Sequence, residues 1–252
     1  MGGRATGGVS LLTAPSRASA RDFDKRLRSI ADRHQLWRVF HDFCSLAAWS
    51  LDSVLVQRRE EAYLGVVKAY KPDEVRAFAE LLGMVTLELE AEPRDFLGEA
   101  FMRLELFSHW GGQFFSPFEL CRMMASLSIP EMPARGFLAM HEPAAGSGAM
   151  VIASALELQA RGFDYQRQLF AEAWDVSDVA ANMAMIQLSL LHIPARVVVG
   201  NTLSREVRDV YHTPAFHLGF WSAKLARPTD EESAPVAPAP ADADEPAQRR
   251  LF

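Results

Sequence analysis

Between Gly136 and Asn201 the chain alternates short apolar runs with helix-patterned stretches, and this alternation restricts the fold more than any other feature of the sequence. The first run is Gly136-Phe-Leu-Ala-Met-His141. The second is Leu169-Phe-Ala-Glu-Ala-Trp174, ending at Asp175, and the third is Arg196-Val-Val-Val199, ending at Gly200-Asn201. Helical periodicity fills the intervals, over roughly 149–161 and 179–191. Strand, helix, strand, helix, strand is the pattern of a parallel sheet with helical crossovers. This part of the chain is therefore expected to be α/β.

The residues before it read differently. From Asp22, apolar residues recur at three- and four-residue steps: Leu27, Ile30, Leu36, Trp37, Phe40, Phe43, Cys44, Ala47 and Leu51 suit an amphipathic helix or a pair of them. The pattern continues over 54–70, over 72–90, where Pro72 and Asp73 suit a helix start, and over 94–110. The expected organisation is a disordered stretch over 1–20, a helical region over 21–110, an α/β domain over 111–226 and a disordered tail over 227–252. The tail, with its Ala-Pro-Ala-Pro and Asp-Glu-Pro runs, has nothing to bury in a core.

Charge and cysteine usage bound the function. The net charge of −6 creates no global positive field toward nucleic acid, although residues 1–40 are rich in arginine. That basic arm reads equally well as a phosphate-contacting segment and as an ordinary solvated helix face. Cys44 and Cys121 stand far apart with no CxxC spacing, which suits a reducing cytoplasm. No long apolar stretch suggests a membrane span, and no histidine pair has metal-ligand spacing, so neither membrane nor metal is expected.

The segment with most chemistry is His141-Glu-Pro-Ala-Ala-Gly-Ser-Gly148, where an expected strand ends in a small-residue turn before a helix. Small residues let a backbone approach a ligand closely, and a helix start offers free N–H groups. Asp175, ending the next strand, is placed to accept hydrogen bonds from a ribose, or to cap the following helix. Asn201, ending the third, suits an adenine edge or a turn.

These segments resemble a known family. Glu142-Pro-Ala-Ala-Gly-Ser-Gly148 resembles the Asp-Pro-Ala-Cys-Gly-Ser-Gly loop of adenine-N6 DNA methyltransferases, above all the methylation subunits of type I restriction–modification systems and their phage and plasmid relatives. Gly112-Gln-Phe-Phe-Ser-Pro117 is similar to that family's Gly-Gln-Phe-(Phe/Tyr)-Thr-Pro segment. Residues 186–195 and Gly200-Asn-Thr-Leu203 are similar to its later helix and third strand. The resemblance spans about 96–205, with the segments in the family's order. It implies a Rossmann-like domain binding S-adenosylmethionine (SAM) as methyl donor, DNA as substrate, and transfer to the adenine N6 amine. It further implies that Phe115 and Pro117 line the cofactor, and that Glu142, Pro143, Gly146 and Gly148 hold its methionine part. Asp175 would take the ribose hydroxyls and Asn201 the adenine amino group.

The chain departs from the family at the catalytic step. Those enzymes carry Asn/Asp/Ser-Pro-Pro-Tyr/Phe after a fourth strand, to hold the target amine and stack on the extruded base. No such tetrapeptide occurs here, and the residues after Leu203 form no apolar strand. The nearest candidate is Thr213-Pro-Ala-Phe216, with Thr213 and Pro214 toward the amine and Phe216 as the stacking ring. The same residues also read as a proline-interrupted helix packing Phe216, Phe220 and Trp221. Two functions follow: an adenine-N6 methyltransferase, or a catalytically inactive relative that binds SAM, DNA or a partner. Three strands make an incomplete sheet with an open edge, to be covered by later residues, a partner chain or a second copy. Finally, Gln248-Arg-Arg-Leu-Phe252 has the form of a sliding-clamp peptide, with Gln248, Leu251 and Phe252 as its contacts.

Overall fold

The computed structural model describes residues 20–52, 56–106 and 114–226. The 1–19 stretch, the 227–252 tail and the clamp-type peptide within it lie outside the described residues, as do Gly112 and Gln113.

The three expected strands are present as β1 (Leu138–Glu142), β2 (Leu169–Asp175) and β3 (Ala195–Asn201). They pair in parallel, Leu138 opposite Leu169 and Ala171 opposite Ala195. Helices α7 (Ala149–Ala160) and α9 (Asp178–Leu190) make the crossovers, with a single turn, α8 (Tyr165–Gln168), leading into β2. A fourth strand, β4 (Glu206–His212), folds back antiparallel on β3, giving the order β1-β2-β3-β4.

The expectation that no strand follows Leu203 is corrected by β4. Its sequence, Glu-Val-Arg-Asp-Val-Tyr-His, is not an apolar run, because an antiparallel edge strand needs only one buried face and tolerates charge on the other. The hairpin depends on Gly200, where the pairing register shifts and a Cβ would lie 2.2 Å from the Glu206 carbonyl oxygen.

Side chains of one sheet face enter the main core: Leu169, Ala171 and Ala173 from β2, Ala195, Val197 and Val199 from β3, and Tyr211 from β4. Alternate residues point to the other face. There Phe170 packs with Phe137, Phe216 and Trp221, the last two from the short helices α10 (Pro214–Leu218) and α11 (Trp221–Leu225). Farther up that face, Glu172 accepts the Trp174 indole N–H at 2.9 Å and lies 3.3 Å from the Arg196 guanidinium.

The helical region comprises α1 (Ala20–Ile30), α2 (Leu36–Leu51), α3 (Val56–Val67), α4 (Pro72–Ala91) and α5 (Phe96–Arg103), with α6 (Phe118–Ser128) leading to the sheet. Of the helix or pair expected from Asp22 to Leu51, the structure has the pair, broken where His34 turns extended. The helix expected to run from Arg94 starts at the Asp95 cap, and α5 ends at Arg103, just before Glu105 adopts a positive φ. These helices share one continuous apolar core with the sheet: Phe23, Phe40, Phe43, Leu97 and Phe101 belong with Met183, Ile186 and Val197.

A buried arginine joins the two halves. Arg59 in α3 donates to Asp52, at the end of α2, and to Asp209 in β4, each at 2.7 Å, while its guanidinium lies 3.9 Å from the Tyr211 ring centroid. No helix among the described residues is long and apolar enough to cross a membrane.

Candidate functional site

Strand β1 stops at Glu142 because Pro143 has no N–H to continue the ladder. The chain then turns through Ala144–Gly148 and enters α7. Gly146 and Gly148 both take left-handed conformations, with φ of +57° and +95°, which glycine adopts without steric penalty. Gly146 is required a second time, since a Cβ there would lie 2.9 Å from the Phe115 ring. Phe115 is in turn fixed edge-on against Phe101, at 5.1 Å between centroids.

The neighbouring strand holds this loop. The Ala145 N–H donates to the Trp174 carbonyl at 2.7 Å. Asp175, almost buried at the end of β2, accepts the Gly146 N–H on one oxygen and the Ser177 N–H on the other, each at 2.8 Å. Burial pushes its carboxyl pKa up, against the pull of those backbone donors. A carboxylate oxygen can accept more than one hydrogen bond, so Asp175 retains acceptor capacity beyond its grip on the loop.

Just past the third strand, the Thr202 hydroxyl donates to the Pro143 carbonyl at 2.8 Å. Asn201 is exposed, and its side-chain oxygen accepts the N–H groups of Leu203 and Ser204, at 3.0 and 3.3 Å. The oxygen that would receive an adenine amino group is thus engaged in the turn, the alternative its sequence position had offered. Glu142 is half-buried, and one of its oxygens accepts the Ala144 N–H at 3.3 Å. Pro117 is exposed and starts α6.

Glu142, Pro143, Gly146, Gly148, Asp175 and Asn201 therefore gather at the carboxyl ends of three parallel strands, with Phe115 closing on the loop. In open α/β sheets this end is where ligands lodge. Thr213, Pro214 and Phe216 are not with them. The Thr213 hydroxyl donates to the Ile193 carbonyl at 2.8 Å and accepts the Ala195 N–H at 2.9 Å, at the opposite end of β3. At about 3.3 Å per residue, the six-residue step from Ala195 to Asn201 puts Thr213 roughly 20 Å from the loop end. Phe216 packs on Phe170 and His212. The segment takes the packing role that its apolar residues offered.

Sequence reasoning missed two residues at the loop. Asp95, the N-cap of α5, accepts the Ser147 hydroxyl at 2.6 Å. Gln187 of α9 donates to the Ser147 carbonyl at 2.9 Å and to Asp95 at 2.8 Å. The available signals were a capping aspartate three residues before a glycine, and a glutamine set among the apolar residues of 183–191.

Close to Asp175, His41 of α2 lies 3.3 Å from Asp178, the first residue of α9, and 3.3 Å from Asp42. Hydrogen bonds to Asp178 and then Asp42 push its pKa up to about 9, against burial. Among the described residues no group of three or more His, Cys, Asp or Glu side chains is arranged to hold a metal. Comparison with protein-family models, curated proteins and solved structures gives no match for this chain.

Proposed function

We propose that the chain binds SAM at the Glu142–Gly148 loop, on a Rossmann-like half-sheet of the kind found in adenine-N6 DNA methyltransferases. The observation that carries this reading is the bond between the Gly146 N–H and Asp175 across the carboxyl ends of β1 and β2. It joins a backbone-lined turn, suited to a zwitterionic amino-acid group, to a carboxylate with acceptor capacity for ribose hydroxyls. The residues fit the cofactor in part. Gly146 lets the loop backbone lie against the Phe115 ring, and Asp175 ends β2 with acceptor capacity to spare. Asn201, by contrast, is occupied by its turn, and the Gly146 and Gly148 N–H groups by Asp175 and the Ala145 carbonyl.

When bound, SAM supplies a methyl group made electrophilic by its sulfonium. The chain's own part would be to hold that cofactor: the Gly146 and Gly148 backbone around the methionine portion, Asp175 on the sugar and Phe115 as an apolar wall. Transfer to adenine N6 of DNA further requires groups that hold the target amine. With Thr213 and Phe216 at the far end of the sheet, those groups would come from a partner chain beside β1, whose outer edge pairs with no strand among the described residues.

The same observation favours a second reading, a SAM-binding protein that transfers no methyl and acts through a partner. Calorimetry with SAM, on the wild type and on Asp175→Ala, tests the cofactor reading; binding lost in the variant supports it, and no binding by the wild type overturns it. Labelled methyl transfer to unmethylated plasmid DNA then separates the two functions. Incorporation identifies an enzyme, and binding without incorporation the partner-dependent protein.

A further inference from the structure

We infer that Asp95 is a positioning residue for the Glu142–Gly148 loop, so that the N-terminal helices shape the site formed at the end of the sheet. The inference deepens the cofactor reading of that loop and rests on it for its functional meaning. Asp95 is a buried carboxylate, and among the described residues no cation pairs with it. Burying such a group is unfavourable unless hydrogen-bond donors surround it. Burial indeed pushes its pKa up, and three donors oppose that rise. Gln187 and the Gly98 N–H meet one oxygen, at 2.8 and 3.0 Å, and the Ser147 hydroxyl meets the other.

Capping α5 by itself requires none of this burial, because an exposed aspartate caps a helix equally well. A second observation shows what the burial accommodates. A Cβ on Gly98 would lie 2.1 Å from Asp95 Oδ2 and 2.5 Å from Ser147 Oγ. Gly98 is thus the opening in α5 through which the loop reaches the carboxylate. Gln187 completes the arrangement: its oxygen accepts the Leu97 N–H at 2.9 Å while its nitrogen serves Asp95 and the Ser147 carbonyl. Two consecutive loop residues are therefore gripped from opposite sides, Gly146 by Asp175 and Ser147 by Asp95 with Gln187. Such a loop is set before any ligand arrives, which removes the ordering penalty from binding.

Hydrogen exchange of the full chain, with SAM calorimetry alongside, tests the inference. In Asp95→Ala the amides of Ala145 and Gly146 should exchange at least tenfold faster, while those of β2 and β3 stay at wild-type rates. The SAM dissociation constant should rise about tenfold. Asp95→Asn keeps an acceptor for Gly98 and turns a donor toward the Ser147 oxygen, so it should recover most of both losses. If Asp95→Ala fails to fold, Ser147→Ala, which removes only the loop's hydroxyl, should show the same localised acceleration. Wild-type exchange at the loop in a folded variant would overturn the inference, and so would acceleration spread evenly over the sheet. If the wild type takes no SAM, the cofactor reading falls, and the exchange pattern still decides the role of Asp95.

Discussion

Asp175 accepts the Gly146 N–H at 2.8 Å, tying the end of one strand to the turn that leaves its neighbour. The other oxygen of the same carboxylate holds the Ser177 N–H at the start of α9. Asp175→Ala strands both donors in a mostly buried place, a loss of about 1–3 kcal/mol. Urea denaturation should show that loss, and a midpoint within error of the wild type would mean that water replaces the carboxylate.

Gly146 combines a positive φ with a ring 2.9 Å from its missing Cβ. Gly146→Ala should therefore destabilise by about 1–3 kcal/mol through backbone strain and overlap. Adding Phe115→Leu should return part of it, because only the overlap is relieved. Thermal unfolding of the two variants separates these contributions. No difference between them would show that the ring yields freely.

Arg59 is held between Asp52 and Asp209, and Asp52 is 1% exposed. Burial raises the Asp52 pKa despite the guanidinium, so the aspartate depends on its cation for a tolerable environment. Removing one partner of a buried pair costs about 3–5 kcal/mol, whereas removing both costs less. Arg59→Met should accordingly unfold at much lower denaturant than Asp52→Asn/Arg59→Met. Equal midpoints would mean that the aspartate takes up a proton once its cation is gone.

His41 supplies a pH dependence. Its folded pKa of about 9 lies above the ordinary 6.5 because Asp178 and Asp42 favour the imidazolium. The stabilisation is complete below about pH 6.5 and is lost as pH rises through about 9. Melting temperature should fall across that window in the wild type, and His41→Gln should flatten the slope. An unchanged slope in the variant would assign the dependence to other groups.

The sequence makes β1, β2, β3 and their crossover helices legible because strands buried in a parallel sheet appear as near-continuous apolar runs, as Leu169–Trp174 does with Glu172 as its one charged residue. Strand β4 is hidden because Arg208 and Asp209 interrupt its pattern, and only pairing with β3 makes it a strand. The loop is visible through its glycines, which encode local backbone conformation. Asp95 and Gln187 are invisible as site residues because their meaning arises from contacts to Ser147 across 52 and 40 positions of chain. Thr213 misleads for the converse reason: its composition suits an amine-binding role, but hydrogen bonds to Ile193 and Ala195 fix it at the other end of β3.

The two aspartates that share Arg59 enter the chain at very different times. Asp52 is synthesised just before the arginine, whereas Asp209 follows it by 150 positions. During translation the arginine therefore waits with one partner until nearly the whole sheet has emerged from the ribosome. Only β4 brings the acceptors for the second guanidinium nitrogen, and a nascent chain stopped short of it leaves that nitrogen without Asp209 and the Val210 carbonyl.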